Sequence, residues 1–143
     1  MNVSHILASK GRLVVTTAPH RTLSEAINLL CQKGIGALVV AGHDGSVLGI
    51  LSERDVIRVL ARNGTDALQD AVSKHMTTRV VTATDNTSIT AAMQQMTGGR
   101  FRHMPVLEGD RLAGLVSIGD VVKHRLEQIE HEKQSILDYI ATA

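Results

Sequence analysis

The chain is written twice. Val80-Val81-Thr82 answers Val14-Val15-Thr16, and Ile89-x-x-Ala92-Met93-x-x-Met96 answers Leu23-x-x-Ala26-Ile27-x-x-Leu30, both at an offset of 66 residues. Gly49, Ser52 and Asp55 recur as Gly114, Ser117 and Asp120 at an offset of 65, because Glu108-Gly109-Asp110 is one residue shorter than the turn it answers. Two copies cannot form a solenoid, which needs several short repeats to bury a continuous core. Half of a 143-residue chain lies near the lower limit for independent folding, so the halves are expected to pack on each other about a pseudo-two-fold axis, leaving two related clefts.

Within each copy the pattern predicts strand, helix, strand, strand, helix. Leu13 to Thr17 is β-branched and ends at Ala18-Pro19, the signature of a short strand. Thr22-x-x-Glu25 is a capping box opening a helix whose apolar face is Leu23, Ala26, Ile27, Leu30 and Cys31, closed by Gly34. Two strands, Ala37 to Ala41 and Ser46 to Leu51, are joined by Gly42-His43-Asp44-Gly45, a hairpin signal. The next helix runs from Ser52 to Asn63-Gly64. The predicted fold class is therefore α/β (α+β), two βαββα repeats with a long C-terminal helix. Residues 1–64 form the first repeat with its lead-in, 65–76 a polar connector with a short helix near Leu68 to Val72, and 77–143 the second repeat.

Gly49-Ile50-Leu51-Ser52-Glu53-Arg54-Asp55 and Gly114-Leu115-Val116-Ser117-Ile118-Gly119-Asp120 each read as a buried strand running into a helix start. Such a start presents unpaired N–H groups and the positive end of the helix dipole, where phosphate binds. Asp55 and Asp120, one turn in, are placed to accept hydrogen bonds from a ribose diol. Ser-x-x-Asp is equally a capping pattern that satisfies the helix's own amides. Both readings stand on the residues alone.

Charge and composition exclude several classes. A formal net charge of +1, with one Tyr, one Phe and no Trp, gives neither the basic footprint nor the stacking platforms of a nucleic-acid binder, and no membrane-surface signature. No apolar run approaches spanning length and Met1 to Lys10 has no secretory core, which makes the cytoplasm the expected compartment. Cys31, the only cysteine, is read as a small buried hydrophobe. The seven histidines make no His-x-x-x-His or His-Glu-x-x-His pattern, and no nucleophile elbow or phosphate loop is present, so neither a metal nor a catalytic residue is expected.

The last helix, from Ser117 to about Ile140, carries Val122, Leu126, Ile129, Ile136 and Ile140 at heptad spacing with Lys133 filling one place. Either it folds back on its own domain or it makes a homodimer contact. The polar opposite face (Arg125, Glu127, Gln128, Glu132) favours the homodimer.

Taken together, Val15-Thr16-Thr17-Ala18-Pro19, Thr22-Leu23-x-Glu25-Ala26, Ile35-Gly36-Ala37-Leu38-Val39-Val40, Arg102-His103-Met104-Pro105-Val106 and the two Ser-x-x-Asp stretches resemble a tandem pair of cystathionine β-synthase (CBS) domains, a Bateman module, from about Leu13 to His124. The resemblance implies a non-catalytic module regulated by an adenosyl ligand: AMP, ADP, ATP, S-adenosylmethionine or NAD(H). By similarity Asp55 and Asp120 hold the ribose, with Ser52 and Ser117 near phosphate or sugar. The adenine is caged by backbone of Thr16, Thr17 and Ala18 with Gly36, Ala37 and Leu38, and of Thr82 to Thr84 with His103, Met104 and Pro105. Arg54 has Gly119 as its counterpart, and Arg100, Arg102 and His103 are candidates to supply the missing charge to phosphate. Pro105 stands where the first copy has Val39, and Asp85 where it has Pro19, which leaves open whether the two clefts bind the same ligand. The resemblance implies a target protein reached in trans. The rival reading is a ligand-free dimerisation or adaptor module.

Overall fold

The computed structural model describes residues 1–142. In chain order its elements are α1 (Val3–Lys10), β1 (Thr16–Thr17), α2 (Leu23–Lys33), β2 (Ala37–Ala41), β3 (Val47–Ser52), α3 (Glu53–Asn63), a 3-10 turn (Thr65–Gln69), α4 (Val72–His75), α5 (Ile89–Gly99), β4 (His103–Glu108), β5 (Arg111–Ser117) and α6 (Ile118–Thr142). They form two compact units. The first-repeat unit comprises Leu13–Val81 with Leu107–Ala113, and the second-repeat unit comprises Met1–Arg12, Thr82–Val106 and residues 114–142.

In the first-repeat unit β1 lies parallel to β2, with Thr17 opposite Val40, and β2 is antiparallel to β3, with Ala37 opposite Ser52. The strand expected from Leu13 contracts to Thr16–Thr17. Thr22 caps α2 as its sequence predicts, accepting from the Glu25 amide at 3.1 Å. Leu23, Ala26 and Leu30 pack with Leu38, Val40, Leu51 and Val56 in the core. Cys31 does not join them. It is exposed, because one residue past Leu30 the helix turns about 100° and carries the thiol off the buried stripe.

The second repeat contributes α5 and the two-stranded sheet β4-β5. The strand expected at Val80 to Thr82 is reduced to one parallel bridge, Ala83 with Val106, in which the Ala83 amide donates to the Pro105 carbonyl at 2.9 Å. This is the Thr17–Val40 pairing of the first copy in the same register. It stops there because a strand residue's N–H and C=O point to the same side, and Pro105 has no N–H to offer on the side where its carbonyl is engaged. Arg100 ends α5 in the left-handed region (φ 56°), where the first copy uses Gly34 (φ 61°). The side chain there costs about 1 kcal/mol that a glycine avoids.

Residues 1–12, grouped from sequence with the first repeat, pack in the core of the second. Val3, Ile6 and Leu7 are buried against Ile89, Met96, Met104 and Val116. The docking of α1 is repeated by α4 in the other unit. Val3 N donates to Thr87 O at 2.8 Å and Ser4 N to Asp85 O at 3.2 Å; Val72 N donates to Arg21 O at 2.7 Å and Ser73 N to Pro19 O at 3.0 Å. Arg21 and Pro19 are the positional counterparts of Thr87 and Asp85. Each repeat therefore receives a short Val-Ser helix along the lead-in to its α2 or α5. Asp85 departs from Pro19 to anchor that segment further: Arg12 grips both of its oxygens, at 3.1 and 3.0 Å.

Candidate functional site

The two Ser-x-x-Asp stretches form helix mouths built on one plan. In the first, Ser52 Oγ accepts from the Asp55 amide at 3.2 Å while Asp55 Oδ2 accepts from the Ser52 amide at 2.9 Å and hydroxyl at 3.0 Å. In the second, Ser117 Oγ accepts from the Asp120 amide at 3.1 Å and Asp120 Oδ2 from the Ser117 amide at 2.9 Å. The amide opening each helix is held by the residue before the middle strand: Glu53 N donates to Gly36 O at 2.9 Å, Ile118 N to Arg102 O at 2.8 Å. Capping thus uses one oxygen of each carboxylate and two of the first three helical amides. Among the described residues, the Arg54 and Gly119 amides, one residue further into each helix, are left without a hydrogen-bond partner.

The carboxylates differ in what else they touch. Among the described residues, Asp55 Oδ1 meets only the Thr77 hydroxyl at 3.4 Å and, at 3.9 Å, the exposed Arg58 guanidinium. Asp120 Oδ2 accepts from Lys10 Nζ at 2.6 Å, and the same ammonium donates to Leu115 O at 2.9 Å. Lys10 closes α1, which its own buried residues fix in place. Burial pushes the Asp120 carboxyl up and is the strongest single influence on it. The Lys10 hydrogen bond, the Ser117 amide and the Lys10 charge together outweigh burial and hold the group below its ordinary 3.8.

A carboxyl held below its unfolded value stabilises the fold fully above that value, and the contribution disappears as pH falls through the lowered one. We expect Lys10→Met to melt lower than wild type at neutral pH, with the gap closing as the pH is taken below about 4. Thermal melts of the two proteins across pH 7 to 2 check it. A gap independent of pH would mean that Lys10 stabilises through its stem alone.

The structure gathers Gly36, Ser52, Arg54 and Asp55 at one mouth, and Arg102, Ser117, Gly119 and Asp120 at the other. Ala37, Leu38, Met104 and Pro105 are buried, which leaves them backbone only, and the Pro105 carbonyl is already taken by Ala83. Thr82, Thr84 and Arg102 are exposed and His103 is half-buried. Thr16, Thr17 and Ala18 line an open groove of about 960 Å³ with His20, Arg21, Asn28 and His43. That groove includes Ala41, at the hairpin end of β2, whereas Ser52 lies opposite Ala37 at the other end. Lys10, Thr77 and Arg58 were missed from sequence. No group of three or more His, Cys, Asp or Glu side chains among the described residues is arranged to hold a metal, and no helix among them is long and apolar enough to cross a membrane.

Comparison with known proteins agrees with this architecture. The CBS domain family model matches twice, at residues 12–62 and 71–127. The chain belongs to the CBS domain family, as a CBS pair. It is similar to the CBS-domain containing protein ATU1752 from Agrobacterium tumefaciens, with 49% identity, a TM-score of 0.85 and coverage of 87% of this chain and 99% of that one. It is 34% identical to the mitochondrial CBS domain-containing protein CBSX3 of Arabidopsis thaliana over 96% of this chain and 71% of the relative. The CBS domain pair of protein MJ0100, solved with 5-methylthioadenosine and S-adenosyl-L-methionine, shares the fold at a TM-score of 0.79, with 22% identity over 90% of this chain and 98% of that one.

Proposed function

We propose that this CBS pair is a non-catalytic, cytoplasmic regulatory module that senses an adenosyl ligand, AMP, ADP, ATP, S-adenosylmethionine or NAD(H), and that its homodimer passes the ligand state to a target protein in trans. The observation that carries the reading is the twice-built mouth, in which a free amide and a capping carboxylate stand side by side. Phosphate takes the Arg54 or Gly119 amide, with Arg102 and His103 near the second. The ribose diol takes Asp55 or Asp120. Adenosyl binding by a protein of the same fold supports the ligand class. Within this reading the two sites are unequal: Asp55 Oδ1 has the Thr77 hydroxyl at 3.4 Å and the Arg58 guanidinium at 3.9 Å beside it, while the charge of Asp120 is already offset by Lys10 on its capping oxygen, Oδ2.

Thermal melting with AMP, ATP, NADH and S-adenosylmethionine in turn tests it. A ligand at 100 times its dissociation constant stabilises by about 2.7 kcal/mol. For a chain of this size that is a rise of roughly 5 to 10 °C. A melting point indifferent to all four would favour the adaptor reading, in which the repeat serves assembly alone.

A further inference from the structure

The face of α6 that packs on its own unit is Val121 and His124, both buried. The heptad seam lies a little more than a third of a turn round from it and is uncovered: Val122 is 41% exposed, Leu126 58%, Ile129 41%, Ile136 60% and Ile140 64%. The fold uses one face of this helix and leaves a second apolar one. The charges flanking that second face are ordered. In heptad terms Lys123 and Glu130 flank one side, at successive e positions, and Arg125 and Glu132 the other, at successive g positions. Among the described residues none of the four makes an ion pair within the chain.

We infer that the occupant of this seam is the same helix of a second copy, running antiparallel, with Leu126 of one copy against Ile129 of the other. Antiparallel helices bring e against e and g against g. In this register Lys123 meets Glu130 and Arg125 meets Glu132, and symmetry doubles each to give four opposite-charge pairs. Lys133 falls opposite Val122, where its stem covers the valine and its ammonium reaches water. A parallel pair would instead stack Lys133 on Lys133. An antiparallel pair shifted by half a heptad, with Leu126 against Ile136, would set Glu130 on Glu130 and Glu132 on Glu132. The charges therefore select one arrangement of three. Ile136 falls against the first turn of the partner copy's helix, and Ile140 extends beyond its start.

The inference rests on the homodimer reading and refines it, and two measurements separate their fates. All variants carry Cys31→Ser, since that thiol is exposed. Under oxidation, Leu126→Cys and Ile129→Cys proteins should each stay uncrosslinked alone and form a disulfide dimer when mixed. In sedimentation, Glu130→Lys/Glu132→Lys should raise the dimer dissociation constant by about tenfold or more, and mixing with Lys123→Glu/Arg125→Glu should restore the dimer. Circular dichroism of each variant confirms that the exposed substitutions leave the fold intact. Disulfides in either single-cysteine protein alone would overturn the antiparallel register. A dimer indifferent to charge reversal and to the mixed cysteines would overturn the seam and leave the homodimer standing. A monomer at every concentration would overturn both.

Discussion

Gly49→Ala should destabilise the first-repeat unit by about 3 kcal/mol, and Gly114→Ala, at the equivalent strand position of the other unit, by about half as much. A Cβ at Gly49 would lie 2.7 Å from the Thr77 carbonyl oxygen and 2.7 Å from Met76 Sδ. The carbonyl cannot withdraw, because Thr77 exchanges two backbone hydrogen bonds with Ile50, both 2.9 Å. A Cβ at Gly114 would meet only the end of the Leu7 side chain, at 2.7 and 2.8 Å. A leucine terminus can rotate, though at 2% exposure it has little space to enter. The two substitutions share a geometry and differ in whether the obstacle is backbone or rotamer. Denaturant titration of each variant measures the difference. A double-mutant cycle then identifies the obstacle: Leu7→Ala should couple favourably with Gly114→Ala by about 1 kcal/mol, whereas Met76→Ala should recover little of the Gly49→Ala loss. Equal losses at the two glycines would mean that the Thr77 bridge yields as easily as a side chain does.

These glycines also mark where the sequence stops being legible. The repeat itself was readable because helix and strand periods, the Thr22 and Ser52 caps and the hairpin turns are local chemistry, each decided within a few residues. The mouths were readable for the same reason, and both capping boxes have the predicted partners. What packs against Gly49 and Gly114 is decided elsewhere. The Val-Ser helices supplying Leu7 and Met76 are related at 69 residues, where the rest of the repeat keeps 66 or 65, so a search at the main register passes over Val3-Ser4 and Val72-Ser73. Lys10 is 110 residues from Asp120. No periodicity connects them, and Lys10 reads in sequence as the ordinary basic end of a short helix. The bare strand lead-in of the second copy has a visible cause in Pro105, whose departure from Val39 bears on strand pairing through its missing N–H. Burial is likewise weakly encoded at the edge of a stripe, and Cys31 lies just past it.

That long-range lysine makes the second large effect asymmetric. Asp55→Ala should weaken adenosyl binding by roughly 10- to 100-fold, the loss expected when one or two hydrogen bonds to a charged acceptor are removed. Asp120→Ala should leave the tight site within about threefold of wild type. At Asp120 an ammonium 2.6 Å from the capping oxygen Oδ2 and tied to Leu115 O already offsets the charge a ribose diol would bond to, while at Asp55 the neighbours of the outer oxygen are a hydroxyl at 3.4 Å and a guanidinium at 3.9 Å. Calorimetry should accordingly find one tight site per chain in the wild type. Lys10→Ala should raise the stoichiometry toward two by removing the ammonium that offsets the Asp120 charge. Both aspartates also cap helices, so part of any loss could come from a frayed first turn, worth about 1 kcal/mol. Asp55→Asn separates the terms, since it keeps an acceptor for the Ser52 amide and removes the charge. If Asp55→Asn binds like wild type while Asp55→Ala melts lower, the carboxylate serves the helix alone. If Asp120→Ala proves the costlier substitution, Lys10 belongs to the ligand's binding shell, and the second mouth is the sensor.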